Sequence, residues 1–127
     1  MGEKETIQDP ITERIIRSVL KVHHTLGPGY LESIYRNALF IELKRNGHRV
    51  EKEWEVDITY EGVEVGRHRL DFLIDGLVVV EVKAVVSLAG VHYAQLRSYL
   101  KACRLSVGLL VNFAKDRVDF RRVEMIF

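Results

Sequence analysis

Several features are scarce in this sequence, and each absence excludes a class of protein. The single cysteine, Cys103, excludes an internal disulfide and suits a reducing cytoplasm. No apolar run reaches the roughly 20 residues that a membrane helix needs, and the N-terminus lacks the apolar segment of a signal peptide. The formal net charge is only +1, so nucleic-acid binding would depend on a local patch rather than on a basic field. We expect a cytoplasmic protein without a membrane partner.

The remaining composition is ordinary for a globular protein. Hydrophobic residues make up 47% and charged residues 29% of the 127 residues, which is enough for one domain with a single core. The sequence shows no internal repeat and no low-complexity tract. We therefore expect one domain over residues 1–127, with the polar residues 1–8 forming a flexible tail.

Apolar periodicity predicts two helices followed by a mixed array of strands. Asp9 and Pro10 are typical of an N-cap and a first helical residue, and a Gly-Pro pair ends that helix at 27–28. A second helix should begin after Gly29 and end at Gly47. The later elements are predicted as strands at 50–60, 63–74 and 77–83, a helix from Ser87 to about Cys103, and strands at 106–113 and 117–127. This α-α-β-β-β-α-β-β order predicts an α/β fold, a mixed sheet with helices on its faces and a right-handed parallel crossover through the third helix.

One predicted buried strand ends in charged residues. Glu81 and Lys83 flank Val82 and point to one face, because side chains alternate along a strand. Charges in such a place carry a large desolvation cost unless each has a partner. Asp71, on the preceding strand, could lie beside them. The pattern is consistent with a metal site, but charges at strand ends are common, and the spacing alone favours a structural salt bridge between Glu81 and Lys83.

The length of the turn between these two strands distinguishes the alternatives. A two-residue Asp75-Gly76 turn would set Asp71 opposite Val80, on the face away from Glu81. A three-residue loop over 74–76 would pair Asp71 with Val79 and put both acids on one face. The metal site therefore requires that odd-length loop or an equivalent bulge.

An Asp followed on the next strand by Glu-x-Lys resembles the PD-(D/E)xK nuclease superfamily, which has the restriction-endonuclease-like fold. The segment 29–35, GYLESIY, further resembles the G-x-x-E-x-x-Y signature of a small family within it, the GxxExxY proteins. Matching segments continue in the same order at 69–71, 81–85, 92–100 and 107–113. The resemblance covers nearly the whole chain from about Ile11.

The resemblance implies roles for the acidic residues and the lysine. Asp71 and Glu81 would bind Mg²⁺ or Mn²⁺, hard cations that favour oxygen ligands, and Lys83 would position the attacking water. Glu32 matches a helix carboxylate that supplies a further metal ligand in some branches. Its alternative is a first-turn acid favoured by the helix dipole.

The resemblance also implies supporting residues on the third helix. Gln95 and Tyr99 match a Q-x-x-x-Y element found near the catalytic site in RecB-like branches, although Tyr99 could instead be a core aromatic residue. His92 could contact phosphate or simply pack. Arg69, in the basic cluster 67–69, could touch phosphates or decorate an exposed strand.

These observations lead to a functional hypothesis and an alternative. The hypothesis is a metal-dependent nuclease that hydrolyses phosphodiester bonds in DNA or RNA, using Asp71, Glu81, Lys83 and Gln95. The alternative is a non-catalytic module that binds nucleic acid or protein and keeps the nuclease fold. A core this small offers little surface for base readout, so a homodimer, another partner or low sequence specificity is expected.

Overall fold

The computed structural model describes residues 9–127, so the tail predicted at 1–8 lies outside the described residues. The elements, in chain order, are α1 (Pro10–Leu26), α2 (Glu32–Arg45), β1 (Val50–Tyr60), β2 (Val63–Ile74), β3 (Val78–Lys83), α3 (Gly90–Cys103), β4 (Val107–Asn112) and β5 (Asp119–Glu124). This order confirms the predicted α-α-β-β-β-α-β-β arrangement. Within the described range, none of the helices is both long and apolar enough to cross a bilayer.

The five strands form one mixed sheet in the order β1-β2-β3-β4-β5. β3 and β4 are parallel, and α3 connects them as the expected crossover. The other neighbouring pairs are antiparallel. The carboxyl ends of β3 and β4 therefore lie side by side, which brings Lys83 next to Asn112.

The two faces of the sheet carry separate cores. Helices α1 and α2 pack on one face, around Tyr35, Phe72 and Phe113. Helix α3 packs on the other face, through Leu96, Tyr99 and Leu100. Gly108 of β4 permits this packing, because a Cβ there would lie 2.9 Å from Leu96 Cδ1.

The N-cap predicted for α1 is confirmed, whereas the N-cap predicted for α3 is not. Asp9 caps α1 as predicted, since its Oδ1 accepts from the Ile11 N–H at 3.0 Å. The prediction that Ser87 caps α3 is wrong, because the helix begins at Gly90 with Ala89 as its N-cap. Instead, the His92 side chain accepts from the Ala89 N–H at 2.9 Å through Nδ1. His92, at the third position of the helix, thus reaches back to the N–H of the cap residue, a different contact from the one a capping serine makes.

The last two strands are shorter than predicted. β4 has six residues rather than the predicted eight, and β5 has six rather than eleven. β5 ends at Glu124 because its pairing partner across the sheet, Val107, is the first residue of β4. Ile126 and Phe127 lie beyond this pairing and are exposed.

Candidate active site

The turn between β2 and β3 sets the positions of the acidic residues. Asp75 and Gly76 have φ values of 55° and 68°, as in a type I′ turn, and the Leu77 N–H donates to the Ile74 carbonyl at 2.9 Å. Leu77 is then an extra residue, because Ile74 pairs with Val78. The loop, 75–77, is thus odd in length, as the metal site requires, and it is shifted by one residue from the loop 74–76 and the Asp71–Val79 pairing considered from the sequence.

The start of β1 stabilises this turn. Both carboxylate oxygens of Asp75 are used, one by the Arg49 N–H at 2.8 Å and the other by His48 Nδ1 at 2.8 Å. Burial would raise the pKa of the Asp75 carboxyl, but these two hydrogen bonds hold it below its usual value. Asp75 N–H donates in turn to the Arg49 carbonyl. These contacts hold Asp75 in its left-handed conformation and so fix the β2–β3 register.

The register brings Asp71 and Glu81 together where the two strands separate. Backbone pairing ends at Phe72–Val80, one residue before the two acids would face each other. Beyond that point, the Asp71 N–H donates to Glu81 Oε2 at 2.9 Å, and the Val82 N–H donates to Asp71 Oδ2 at 2.7 Å. Each acid thus receives a backbone hydrogen bond from the opposite strand through one of its oxygens.

The side-chain alternation of β2 also breaks at Asp71. Leu70 packs in the core beneath α3, whereas Phe72 packs in the core beneath α1 and α2. Two residues so spaced would share a face in a regular strand. This irregularity places the Asp71 carboxylate in the gap between β2 and β3, where Arg36 of α2 reaches it.

Burial strongly affects the ionisation of the two acids. Glu81 is only 4% exposed, and desolvation together with the Asp71 charge raises its pKa to about 8. Desolvation also raises the pKa of Asp71, against a backbone hydrogen bond from Val82 and the charge of Arg36. Because the two adjacent carboxyls resist ionisation, a cation bound between them would stabilise their charged forms.

Helix α2 contributes a charged contact to this pair. Arg36 lies between two acids, with Nη2 2.7 Å from Glu32 Oε2 and Nε 3.1 Å from Asp71 Oδ1. The Nε contact is an ion pair without hydrogen-bond alignment. Glu32 therefore reaches Asp71 through Arg36. No role for Arg36 was predicted from the sequence, although its helical spacing of four from Glu32 is a recognisable ion-pair signal.

Helix α3 provides the other side of the site. Lys83 Nζ is 3.4 Å from Gln95 Oε1, and among the described residues no ion pair joins Glu81 to Lys83. Tyr99 follows Gln95 by one turn of α3, and its pKa is raised to about 12 by burial and by the nearby carboxyls of Glu81 and Asp71. Tyr99 is itself only 5% exposed, within the α3 core.

The remaining predicted substrate-binding residues have other contacts. Arg69 is exposed, and its Nη2 is 3.9 Å from Glu55 Oε2 of β1. Its neighbour Arg67 lies within 3.5 Å of three acids, Glu55, Asp57 and Glu64. His92 caps α3 through its Nδ1. The basic cluster 67–69 is thus largely paired with acids of its own hairpin.

The segment 29–35 owes its pattern to the loop before α2. Gly29 has a φ of 110°, which favours glycine. The buried Tyr35 hydroxyl donates to the Gly27 carbonyl at 2.6 Å and accepts from the Tyr30 N–H at 3.1 Å. The glycine and the tyrosine therefore shape the loop, and the glutamate between them lies at the helix start, facing Arg36.

A further structural residue at the site, Asn112, received no role from the sequence. It is fully buried at the end of β4. Its side-chain amide donates to the Val85 carbonyl at 2.9 Å and accepts from the N–H groups of Val85 at 3.0 Å and Ala114 at 3.3 Å. Asn112 thus holds the segment after Lys83. The only sequence signal is a polar residue at the end of an apolar run.

Comparison with known proteins identifies the family. The family model described as PD-(D/E)XK nuclease superfamily matches residues 9–123. The chain belongs to this superfamily. A search of curated proteins gave no significant match.

Two solved structures support the fold. The crystal structure of SSO0001 has 21% sequence identity and a TM-score of 0.60, covering 95% of this chain and 80% of that chain. The crystal structure of an alkaline exonuclease from Laribacter hongkongensis has 12% identity and a TM-score of 0.54, covering 95% of this chain and 74% of that chain. With the family match, they confirm the predicted restriction-endonuclease-like mixed sheet.

PD-(D/E)XK nucleases generally use divalent metals, and the acids here suit such an ion only in part. Within residues 9–127, no group of three or more His, Cys, Asp or Glu side chains is arranged to hold one. Asp71 and Glu81 nevertheless each use one oxygen for a backbone N–H, which leaves Asp71 Oδ1 and Glu81 Oε1 for a cation. Arg36 already approaches Asp71 Oδ1, so a metal would have to share or replace that contact.

Proposed function

We propose that this chain is a metal-dependent nuclease that hydrolyses phosphodiester bonds in DNA or RNA. The observation that carries the proposal is the buried Asp71–Glu81 pair, held by crossed hydrogen bonds beside Lys83. The segment 29–35 and the residues it places support the finer assignment to the GxxExxY proteins within the superfamily.

Each residue of the site has a separate role in the proposed reaction. Asp71 and Glu81 would hold Mg²⁺ or Mn²⁺ with their carboxylates. When bound, such an ion neutralises the charge of a phosphodiester transition state and lowers the pKa of a bound water. Lys83, held near Gln95 rather than by an acid, orients the attacking water and stabilises the hydroxide that forms. Gln95 positions the Lys83 ammonium, and Glu32 keeps Arg36 oriented towards Asp71.

The competing structural interpretation is a salt bridge between Glu81 and Lys83. The Lys83 ammonium instead lies closest to an amide oxygen, and Glu81 receives a backbone N–H. The ion pair between Arg36 and Asp71 favours the second candidate, a non-catalytic binding module, because it partly neutralises Asp71 without any metal. The two functions differ in whether divalent ions bind and whether cleavage follows.

The first experiment combines melting and cleavage assays. The melting temperature of the wild type should rise with Mn²⁺, and the protein should cleave single-stranded or double-stranded DNA or RNA in its presence. Asp71→Asn removes a charged ligand while nearly preserving shape, so it should lose both the Mn²⁺ shift and cleavage. Lys83→Ala should keep or enlarge the Mn²⁺ shift, because it removes a nearby cation, and should still lose cleavage.

A matched control is Asp116→Asn, the same change at an exposed loop residue, which should behave as the wild type. If Mn²⁺ shifts no melting temperature and Lys83→Ala is the most destabilised variant, the catalytic proposal is wrong. If Mn²⁺ stabilises the protein but no substrate is cleaved, the non-catalytic module is the better description.

A further inference from the structure

The hairpin of β1 and β2 extends well beyond the rest of the sheet. β2 pairs with β3 only from Phe72 to Ile74, whereas it pairs with β1 along most of its length. We call the part between Trp54 and Leu70 the arm. One face of the arm lies over α3, where Val56 and Leu70 join the core of that helix.

A cleft of about 440 Å³ lies between the arm and α3. Six of its eight lining residues are polar or charged: Asp57, Thr59, His68, Ser98, Lys101 and Arg104. A cleft of this volume is comparable to a small-molecule site, so it can take a nucleotide of a single strand but not a duplex.

Among the described residues that line the cleft, Asp57 is the one acid, and it is already paired, so the cleft carries a net positive charge. Asp57 Oδ1 is 3.0 Å from Arg67 Nε on the same arm. Lys101 and Arg104 are both exposed, and no carboxylate within residues 9–127 forms an ion pair with either of them. They differ in this from Arg67 and Arg69, whose charges are compensated by acids of the arm.

Packed side chains link the cleft to the candidate active site. The His68 ring packs against the Tyr99 ring, with centroids 4.6 Å apart. Gln95 lies one turn before Tyr99 on α3 and beside Lys83. Gln95, Ser98 and Ala102 follow one face of α3 at helical spacing. From Gln95 to Cys103, the last residue of α3, the helix rises about 12 Å, roughly the length of three to four stacked nucleotides.

We propose that this cleft binds the sugar-phosphate backbone of a single nucleic-acid strand and leads it to the Asp71–Glu81 site. Lys101 and Arg104 contact phosphates, and His68 lies where the strand enters the site. The inference rests on the proposed function and adds to it a path and a substrate form. It also places the basic surface that contacts phosphates at the C-terminal end of α3, and not at the cluster 67–69.

The test measures binding without cleavage. A fluorescently labelled single strand of mixed sequence is titrated with wild-type protein in EDTA, at several salt concentrations from 50 to 200 mM. Lys101→Ala and Arg104→Ala should each weaken binding about three- to tenfold at the lowest salt, and each should reduce the slope of log affinity against log salt by about 0.7. A duplex of the same sequence should bind more weakly than the single strand.

The matched control is Arg17→Ala, which makes the same charge change on α1, across the sheet from α3. It should change affinity less than twofold. Melting curves establish that all three variants fold, as expected for exposed positions. Equal effects of the three substitutions, unchanged binding by the two α3 variants, or preference for the duplex would overturn the proposal.

The outcome is separable from that of the proposed function. Wild-type cleavage and an Mn²⁺ melting shift, together with α3 variants that bind normally, would reject the cleft and keep the nuclease. No cleavage and no Mn²⁺ shift, with α3-dependent strand binding, would keep the cleft and reject the nuclease.

Discussion

At the scale of single residues, Glu81 shows how burial changes chemistry. Its carboxyl is almost fully buried and has one backbone hydrogen bond. Desolvation and the Asp71 charge raise its pKa from 4.5 to about 8. At neutral pH without metal, the site therefore favours a proton on Glu81, which a divalent ion would displace.

Glu81 predicts a specific dependence of stability on pH. Between about 4.5 and about 8, the folded protein keeps a proton that the unfolded chain has lost. This contribution to stability is fully present below the lower value and is lost as the pH rises through the higher one. In EDTA, the free energy of unfolding should fall by up to about 1.4 kcal/mol per pH unit in this window.

The measurement is denaturant unfolding at intervals from pH 5 to pH 8.5, for wild type and Glu81→Gln. The variant cannot ionise, so its stability should vary less with pH. Glu13→Gln, at an exposed position of α1, is the control and should follow the wild type. Parallel curves for wild type and Glu81→Gln would show that Glu81 titrates normally.

At the scale of elements, two polar side chains in the core hold the segments that carry the site. Tyr35 fixes the loop between α1 and α2. Asn112 fixes the segment between β3 and α3. In both cases a buried side chain satisfies backbone groups of an irregular segment, which would otherwise be left unpaired.

Tyr35→Phe should therefore destabilise the protein. It removes a buried hydroxyl that accepts from the Tyr30 N–H and donates to the Gly27 carbonyl. The free energy of unfolding should fall by about 1–3 kcal/mol, measured by denaturant unfolding. Tyr60→Phe, at a residue that is 67% exposed, should cost almost nothing. If both variants were equally stable, the hydroxyl would not be what holds the loop.

Asn112→Ala should affect both stability and cleavage. It leaves the Val85 N–H and carbonyl unpaired, each at a cost of about 1–3 kcal/mol where water cannot replace the contact. The proposed nuclease activity should also fall, because the segment after Lys83 loses its anchor. Asn112→Asp keeps the acceptor for the two N–H groups and should recover part of both. Full activity in the alanine variant would contradict this positioning role.

At the scale of the whole molecule, size and charge limit how the substrate is recognised. The net charge is +1, and the described helices are packed against the sheet, with none free to enter a major groove. We therefore expect cleavage with little sequence preference. Sequencing the fragments from a random oligonucleotide pool would measure this, and a fixed base pattern flanking the cut sites would contradict it.

Much of this architecture could be predicted from the sequence. The Asp9 cap and the bounds of β1 and β2 agree with the structure, because caps and alternating burial are local signals. The proximity of Asp71, Glu81 and Lys83 could be predicted only as one of two outcomes. The register between β2 and β3 depends on one extra turn residue, Leu77. The conformation of this turn depends on the contacts of Asp75 with His48 and Arg49, which are distant in the sequence.

The sequence by itself determined the order of the elements, the apolar faces that pack into two cores, and the presence of two acids and a lysine near adjacent strand ends. These properties follow from periodicity and residue type, which act over a few neighbours. Only the tertiary structure decided that Arg36 lies between Glu32 and Asp71, that Arg67 and Arg69 are paired with acids, and that the cations of α3 are not. Ion pairing depends on which distant side chains are brought within a few ångströms, and one-dimensional spacing does not specify that distance.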